Sequence, residues 1–267
     1  MYDSKPLSNN RVFIYHLLKR MLRFNCPMSG TFHFDVTDLY NKINDLKKEG
    51  YSIGLVSCLV KATSLSIEKF PRMNNRIFHT LLGKKEVSYD SINCGLAATR
   101  IDPLGEEVII PIILRGSNKL SIQEIHNQIK ENKTLPVEKL ESYEWLQKSR
   151  RLPRFLIPFV HYLFRSNPKF SAKNSSTYAI SSIMEKDSSL VSSHSPANQT
   201  TFFPISLKDQ AMIHNGEVKP RKVLAVTFCV DHFLVDGMDV QRCGNYLKNF
   251  LENPKNLLKE FNLEKTS

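Results

Sequence analysis

The spacing of apolar residues changes repeatedly along the chain, and each change marks a predicted element. From Arg11 to Phe24, Val12, Ile14, Leu17, Leu18, Met21 and Leu22 recur at helical spacing. Thr31 to Val36 alternates as a strand does. Thr37 is placed to cap a helix that runs to about Lys48 and stops at Gly50. Gly54 to Phe70 predicts a more buried helix, with Leu55, Val56, Leu59, Val60 and Ile67 inward and Pro71 ending it. Strands are expected at Glu86 to Tyr89, Ile92 to Arg100 and Val108 to Leu114.

Ser121 and Glu124 have capping-box spacing and open a helix to about Asn132. Helical character follows over Val137 to Ser149 and Phe155 to Arg165. Ser171 to Thr201 is rich in Ser and Asn like a linker, yet Tyr178-Ala179-Ile180 reads as a short strand inside it. Phe202 to Ile205, Ala211 to His214 and Val223 to Val230 are expected strands. Met238 to Leu251 predicts an amphipathic helix with Val240, Cys243, Leu247, Phe250 and Leu251 on one side, stopped by Pro254. There is no repeat and no clear domain boundary, and helices and strands mix without strict alternation. The expectation is a single domain over residues 1–267, α+β or an α/β sandwich with a mixed sheet.

Composition narrows the class. The 267 residues are 41% hydrophobic and 24% charged, enough for a sizeable core in an ordinary globular chain. Apolar runs are broken by charges or prolines short of a membrane span, and the first residues carry no secretory core, so a cytoplasmic protein is expected. The five cysteines, Cys26, Cys58, Cys94, Cys229 and Cys243, show no metal-ligand spacing. Neither a metal site nor a disulfide framework is expected.

The formal charge of +11 suits nucleic acid, an anionic membrane or a phosphorylated ligand. The basic residues are scattered and lack any recognition-helix or RNA-binding signature, so surface solvation is preferred and no nucleic-acid partner is expected. Leu152 to Phe164 is strongly apolar with basic flanks at Arg151, Arg154 and Arg165. A membrane-surface helix would look like this, but packing against the core or another subunit is the preferred reading.

Candidate chemistry concentrates between Val223 and Val240. A near-continuous apolar strand ends in Asp231-His232, and Asp236-Gly237 opens the next helix. Lone histidines are usually structural and a His–Asp–Gly pattern arises by chance. Here the context holds a histidine at the mouth of a buried strand, with Asp236 at a helix N-terminus that stabilises a carboxylate.

Asp231-His232-x-x-x-Asp236-Gly237 in this setting resembles the active-site signature of the chloramphenicol acetyltransferase superfamily. It is closer still to the catalytic domain of the 2-oxoacid dehydrogenase dihydrolipoamide acyltransferases. Further segments are similar in family order: the helix from Arg11, Phe34 to Leu39, Lys61 to Asn74, Tyr178 to Ser182, and Leu247 to Pro254. There are departures. Phe233 stands where an arginine often follows the histidine, and no glycine follows Ser181-Ser182. The match also begins within the first dozen residues, with no lipoyl or peripheral-subunit-binding domain ahead of it.

The resemblance implies a mixed-sheet sandwich with flanking helices and a free-standing, coenzyme A-dependent acyltransferase acting on a small-molecule acceptor. It implies His232 as general base, Ser181 as oxyanion donor, and Asp236 ordering the loop through an ion pair, with Arg11 the candidate partner. It also implies a homotrimer with its site between subunits, where Leu152 to Phe164 helps bury the interface. The alternatives are a dihydrolipoamide acyltransferase core of a dehydrogenase complex, or a catalytically idle scaffold or binding homologue.

Overall fold

The computed structural model describes residues 9–103, 107–182 and 200–258, with residues 4, 7, 105 and 184 besides. Its frame is a six-stranded sheet in the order β1 (Pro27–Asp35), β8 (Glu217–Asp231), β7 (Thr201–His214), β6 (Tyr178–Ile180), β4 (Cys94–Ile101), β5 (Glu107–Leu114). β6 runs parallel to both neighbours and the other pairs are antiparallel, giving the mixed sheet expected. A separate hairpin joins β2 (Asn75–Thr80) to β3 (Gly83–Ser88).

The core lies on one sheet face beneath α2 (Thr37–Lys48), α3 (Leu55–Lys69), α4 (Ile122–Thr134), α8 (Gly237–Leu251) and α9 (Pro254–Leu258). Along β8, Leu224, Val226, Phe228 and Val230 enter that core, while Ala225 and Cys229 join Phe203 and Ile205 in a smaller cluster. Burial on both faces explains why this strand reads as a continuous apolar run. Aromatic rings cross four strands: Phe32 lies 4.6 Å from Phe228, Phe228 4.6 Å from Phe202, and Phe202 6.0 Å from Tyr178. Each fully buried ring contributes about 1.5–3 kcal/mol. The Tyr178 hydroxyl ends the row 2.8 Å from Ser64 Oγ in α3.

Local signals were mostly realised. Ser121 Oγ accepts the Glu124 N–H at 3.2 Å, and Glu124 returns a contact to the Ser121 N–H at 2.7 Å. Val240, Cys243, Leu247 and Leu251 of α8 are buried as expected. Thr37 differs: it is the first helical residue, and the Asp35 carboxylate accepts its N–H at 3.1 Å and its hydroxyl at 2.6 Å. Arg221 Nε also donates to Asp35 at 2.6 Å. Burial pushes the Asp35 carboxyl upward, but the hydrogen bonds from Thr37 and Arg221 outweigh it and hold the group below its ordinary value.

Other boundaries moved for long-range reasons. Phe202 to Ile205 and Ala211 to His214 are parts of one strand, β7, carried past a bulge between Pro204 and Ser206 by pairing with β8. Its hairpin turns at Asn215-Gly216, both at positive φ, an Asn-Gly turn signal that the sequence did carry. Val137 to Ser149 divides into a 3-10 turn and α5 (Glu141–Arg151). Phe155 to Arg165 likewise divides into a 3-10 turn and α6 (Ile157–Ser166). The linker-like stretch contains α7 (Pro168–Asn174) before β6, and its residues 185–199 lie outside the described residues.

Candidate active site

The functional turn is built where β8 ends. The Leu234 and Val235 N–H groups fold back onto the Asp231 carbonyl at 2.9 and 3.0 Å. The Asp231 carboxylate accepts the Cys26 N–H at 2.9 Å and the Phe233 N–H at 3.3 Å. His232 N–H donates to the Cys26 carbonyl at 2.6 Å. The junction between α1 (Asn9–Phe24) and β1 therefore clamps this turn from the side.

His232 itself is exposed, and its Nδ1 lies 3.0 Å from the Val235 carbonyl oxygen. A carbonyl only accepts, so Nδ1 carries the hydrogen, and in the neutral ring the lone pair is on Nε2. The Val235 side chain is buried, which anchors the carbonyl that orients the ring. The contact holds the ring in one orientation on an exposed turn. Phe233 and Met238 beside it are 63% and 60% exposed, an apolar rim open to a partner or substrate.

Asp236 is the N-cap residue of α8 and stands exposed. Arg72 Nη1 lies 3.7 Å from its carboxylate and 2.9 Å from that of Asp239, which also accepts the Asp236 N–H at 3.3 Å. Among the ion pairs of the described residues, Arg72 is the cation beside Asp236. Arg11, the partner that the resemblance implied, is exposed in the first turn of α1. It lies about 20 Å of helix from the Phe24 end that adjoins the turn. Gly237 opens α8, and a methyl group added to it would meet nothing within 4 Å.

Ser181 follows β6, half-buried, with its N–H donating to the Phe202 carbonyl at 3.0 Å, while Ser182 is exposed. Ile180 pairs with Phe202, and Phe202 with Phe228. Ser181 continues to the Thr227 level, whereas His232 leaves β8 past Asp231. Five strand residues separate those levels, about 17 Å along the sheet. A single chain does not bring Ser181 and His232 together.

The residues that sequence reasoning missed are second partners in this assembly. The Asp231 carboxylate was visible in the motif, but only the fold shows that it holds the turn. No local signal ties Arg72 to Asp236 and Asp239 across some 160 positions.

Fold and site together define a mixed α/β protein with a tautomer-fixed histidine at the exit of an inner strand. Residues 2–144 and 202–259 match the 2-oxoacid dehydrogenases acyltransferase (catalytic domain) family, and the chain belongs to it. It is 26% identical, over 218 residues, to the dihydrolipoyllysine-residue succinyltransferase component of the 2-oxoglutarate dehydrogenase complex of Buchnera aphidicola. That match covers 81% of this chain but 44% of the relative, so the chain spans less than half the relative's length. The Azotobacter vinelandii dihydrolipoamide acetyltransferase superposes with a TM-score of 0.69 at 14% identity, covering 97% of this chain and 94% of that one. A probable dihydrolipoamide acetyltransferase from Listeria monocytogenes gives 0.67 at 16% identity, covering 100% and 98%. The solved structures show that the fold is shared.

Proposed function

We propose that the protein is an acyltransferase that moves an acyl group from a coenzyme A thioester to a thiol or hydroxyl of a small acceptor, with His232 as general base. The observation that carries this reading is the contact between His232 Nδ1 and the Val235 carbonyl, which leaves Nε2 as a lone-pair acceptor on an exposed turn. Nε2 takes the acceptor's proton as its sulfur or oxygen attacks the thioester carbonyl carbon. The tetrahedral oxyanion is stabilised by the Ser181 hydroxyl. Its collapse breaks the carbon–sulfur bond, and the departing thiolate recovers the proton from the imidazolium. Asp236, through Arg72, keeps the start of α8 in place behind the base.

Because Ser181 and His232 stand about 17 Å apart along the sheet, the working site is completed by a second copy, His232 of one chain meeting Ser181 of its neighbour. The exposed Phe233 and Met238 suit such an interface. A trimer, as the family resemblance implies, closes such contacts into a symmetric ring. A related chain forms the cubic core of a pyruvate dehydrogenase multienzyme complex. In the Azotobacter enzyme a serine, a histidine and an asparagine are the residues whose catalytic role was probed. The last two are four positions apart there, as His232 and Asp236 are here.

Family membership also favours a second reading, transfer to the thiol of a dihydrolipoyl group, as the relatives' names describe. Thiol release from acetyl- and succinyl-coenzyme A, followed across thiol and hydroxyl acceptors that include dihydrolipoamide, separates the two by acceptor preference. His232→Ala should lower the rate by about two to four orders of magnitude with the fold intact. Equal rates in parent and variant would remove His232 from the mechanism, and no turnover with any acceptor would favour an idle scaffold.

A further inference from the structure

The charge of the chain is concentrated. Residues 4–34 and 145–184 hold 12 of the 37 lysines and arginines and none of the 26 aspartates and glutamates. The other 25 basic residues face 26 acidic ones, so the formal excess of +11 resides on these two segments. Far apart in sequence, they fold side by side, with α1 packed against α5 and α6.

The same region exposes apolar side chains. Along α1, Arg11, Tyr15, Leu18, Lys19, Leu22 and Arg23 form one outward stripe at intervals of three and four. Leu22 is 62% exposed, and beside α1, Phe155 is 78% and Phe159 56% exposed. Within Leu152 to Phe164, Ile157 and His161 pack against the body of the chain, while these two phenylalanines remain outward in the single chain.

We infer that the α1–α6 face docks on an anionic lipid bilayer, with its leucines and aromatic rings entering the headgroup–acyl boundary and its arginines and lysines meeting lipid phosphates. Each half of this face points to the same occupant. Apolar side chains gain by leaving water for hydrocarbon, which a nucleic acid does not offer. Lys148 pairs with Glu144 of α5 at 2.6 Å, but Arg11, Lys19 and Arg23 on α1 have no acidic residue in their helix. Such an excess favours a negative surface, whereas a second copy presenting the same face sets cation against cation. Among the described residues no helix is long and apolar enough to cross a membrane, so the seat is interfacial. The surface is independent of the acyl-transfer reading.

The test is flotation of the full chain with extruded phosphatidylcholine vesicles, with and without phosphatidylglycerol. The protein should float with the anionic vesicles, stay behind with the neutral ones, and be released by salt. Each basic side chain near an anionic surface is worth about a fivefold gain in partitioning, so Lys19→Glu with Arg23→Glu should lower it by at least about 25-fold. Phe155→Ser with Phe159→Ser should lower it too, and circular dichroism of both variants should match the parent. Flotation that ignores lipid charge, no flotation at all, or an unaffected charge-reversed variant overturns the inference. So does light scattering in which the Phe155/Phe159 variant loses a self-association of the parent, which would assign the face to a second copy.

Discussion

His232 Nδ1 and the Val235 carbonyl, 3.0 Å apart across a four-residue turn, fix the ring's orientation and place a hydrogen on Nδ1. The geometry of that turn rests on Asp231, whose carboxylate receives two backbone N–H groups. In the proposed mechanism, its removal would act through the ring it positions.

Asp231→Ala leaves the Cys26 and Phe233 N–H groups without their acceptor and should destabilise the protein by about 1–3 kcal/mol. It should also lower kcat more than it raises KM. Asp231→Asn keeps an acceptor oxygen in place and should recover most of both losses. Urea unfolding and steady-state kinetics on the pair measure this, and equal behaviour of the two variants would exclude the positioning role.

The separation of Ser181 and His232 within one chain predicts complementation. Ser181→Ala and His232→Ala should each be nearly inactive alone. Unfolded together and refolded at equal amounts, they should regain about a quarter of the parent rate, since a random closed assembly contains that share of interfaces with both residues intact. A mixture no more active than its parts would place the site within one chain.

Asp35 sets a pH dependence. Its carboxyl is held below the ordinary value in the fold, so the folded state favours the ionised form. Its contribution is fully present above the unfolded carboxylate value of about 3.9 and is lost as pH falls through the depressed folded value. Asp35→Asn should therefore unfold more easily than the parent at neutral pH, by about 1–3 kcal/mol, with the gap closing toward pH 3. A gap of the same size at both pH values would exclude Asp35 as its source.

Two glycines of α8 should respond differently. A Cβ at Gly244 would overlap the Phe32 ring on β1, whereas one at Gly237 meets nothing within 4 Å. Gly244→Ala should lower stability by about 1–3 kcal/mol. Gly237→Ala should leave it within about 0.5 kcal/mol. Thermal unfolding of the two variants decides.

What the sequence determined by itself is local. The 3.6-residue period of α8, the Ser121–Glu124 cap and the apolar run of β8 all depend on neighbours within a turn or a strand, and so does the placing of His232 at a strand exit. The family resemblance added the order of segments and the expectation of a shared site. Tertiary structure alone decided the rest. Polar Ser206 to Gln210 became strand because β8 lay alongside to receive its hydrogen bonds, and Arg72 found Asp236 and Asp239 because the turn after α3 meets the start of α8. Periodicity tells which side of an element avoids water but not what will cover it, so the outward leucines of α1 were not distinguishable from core. Strand register, fixed only when distant segments pair, set Ser181 at the level of Thr227 rather than beside His232.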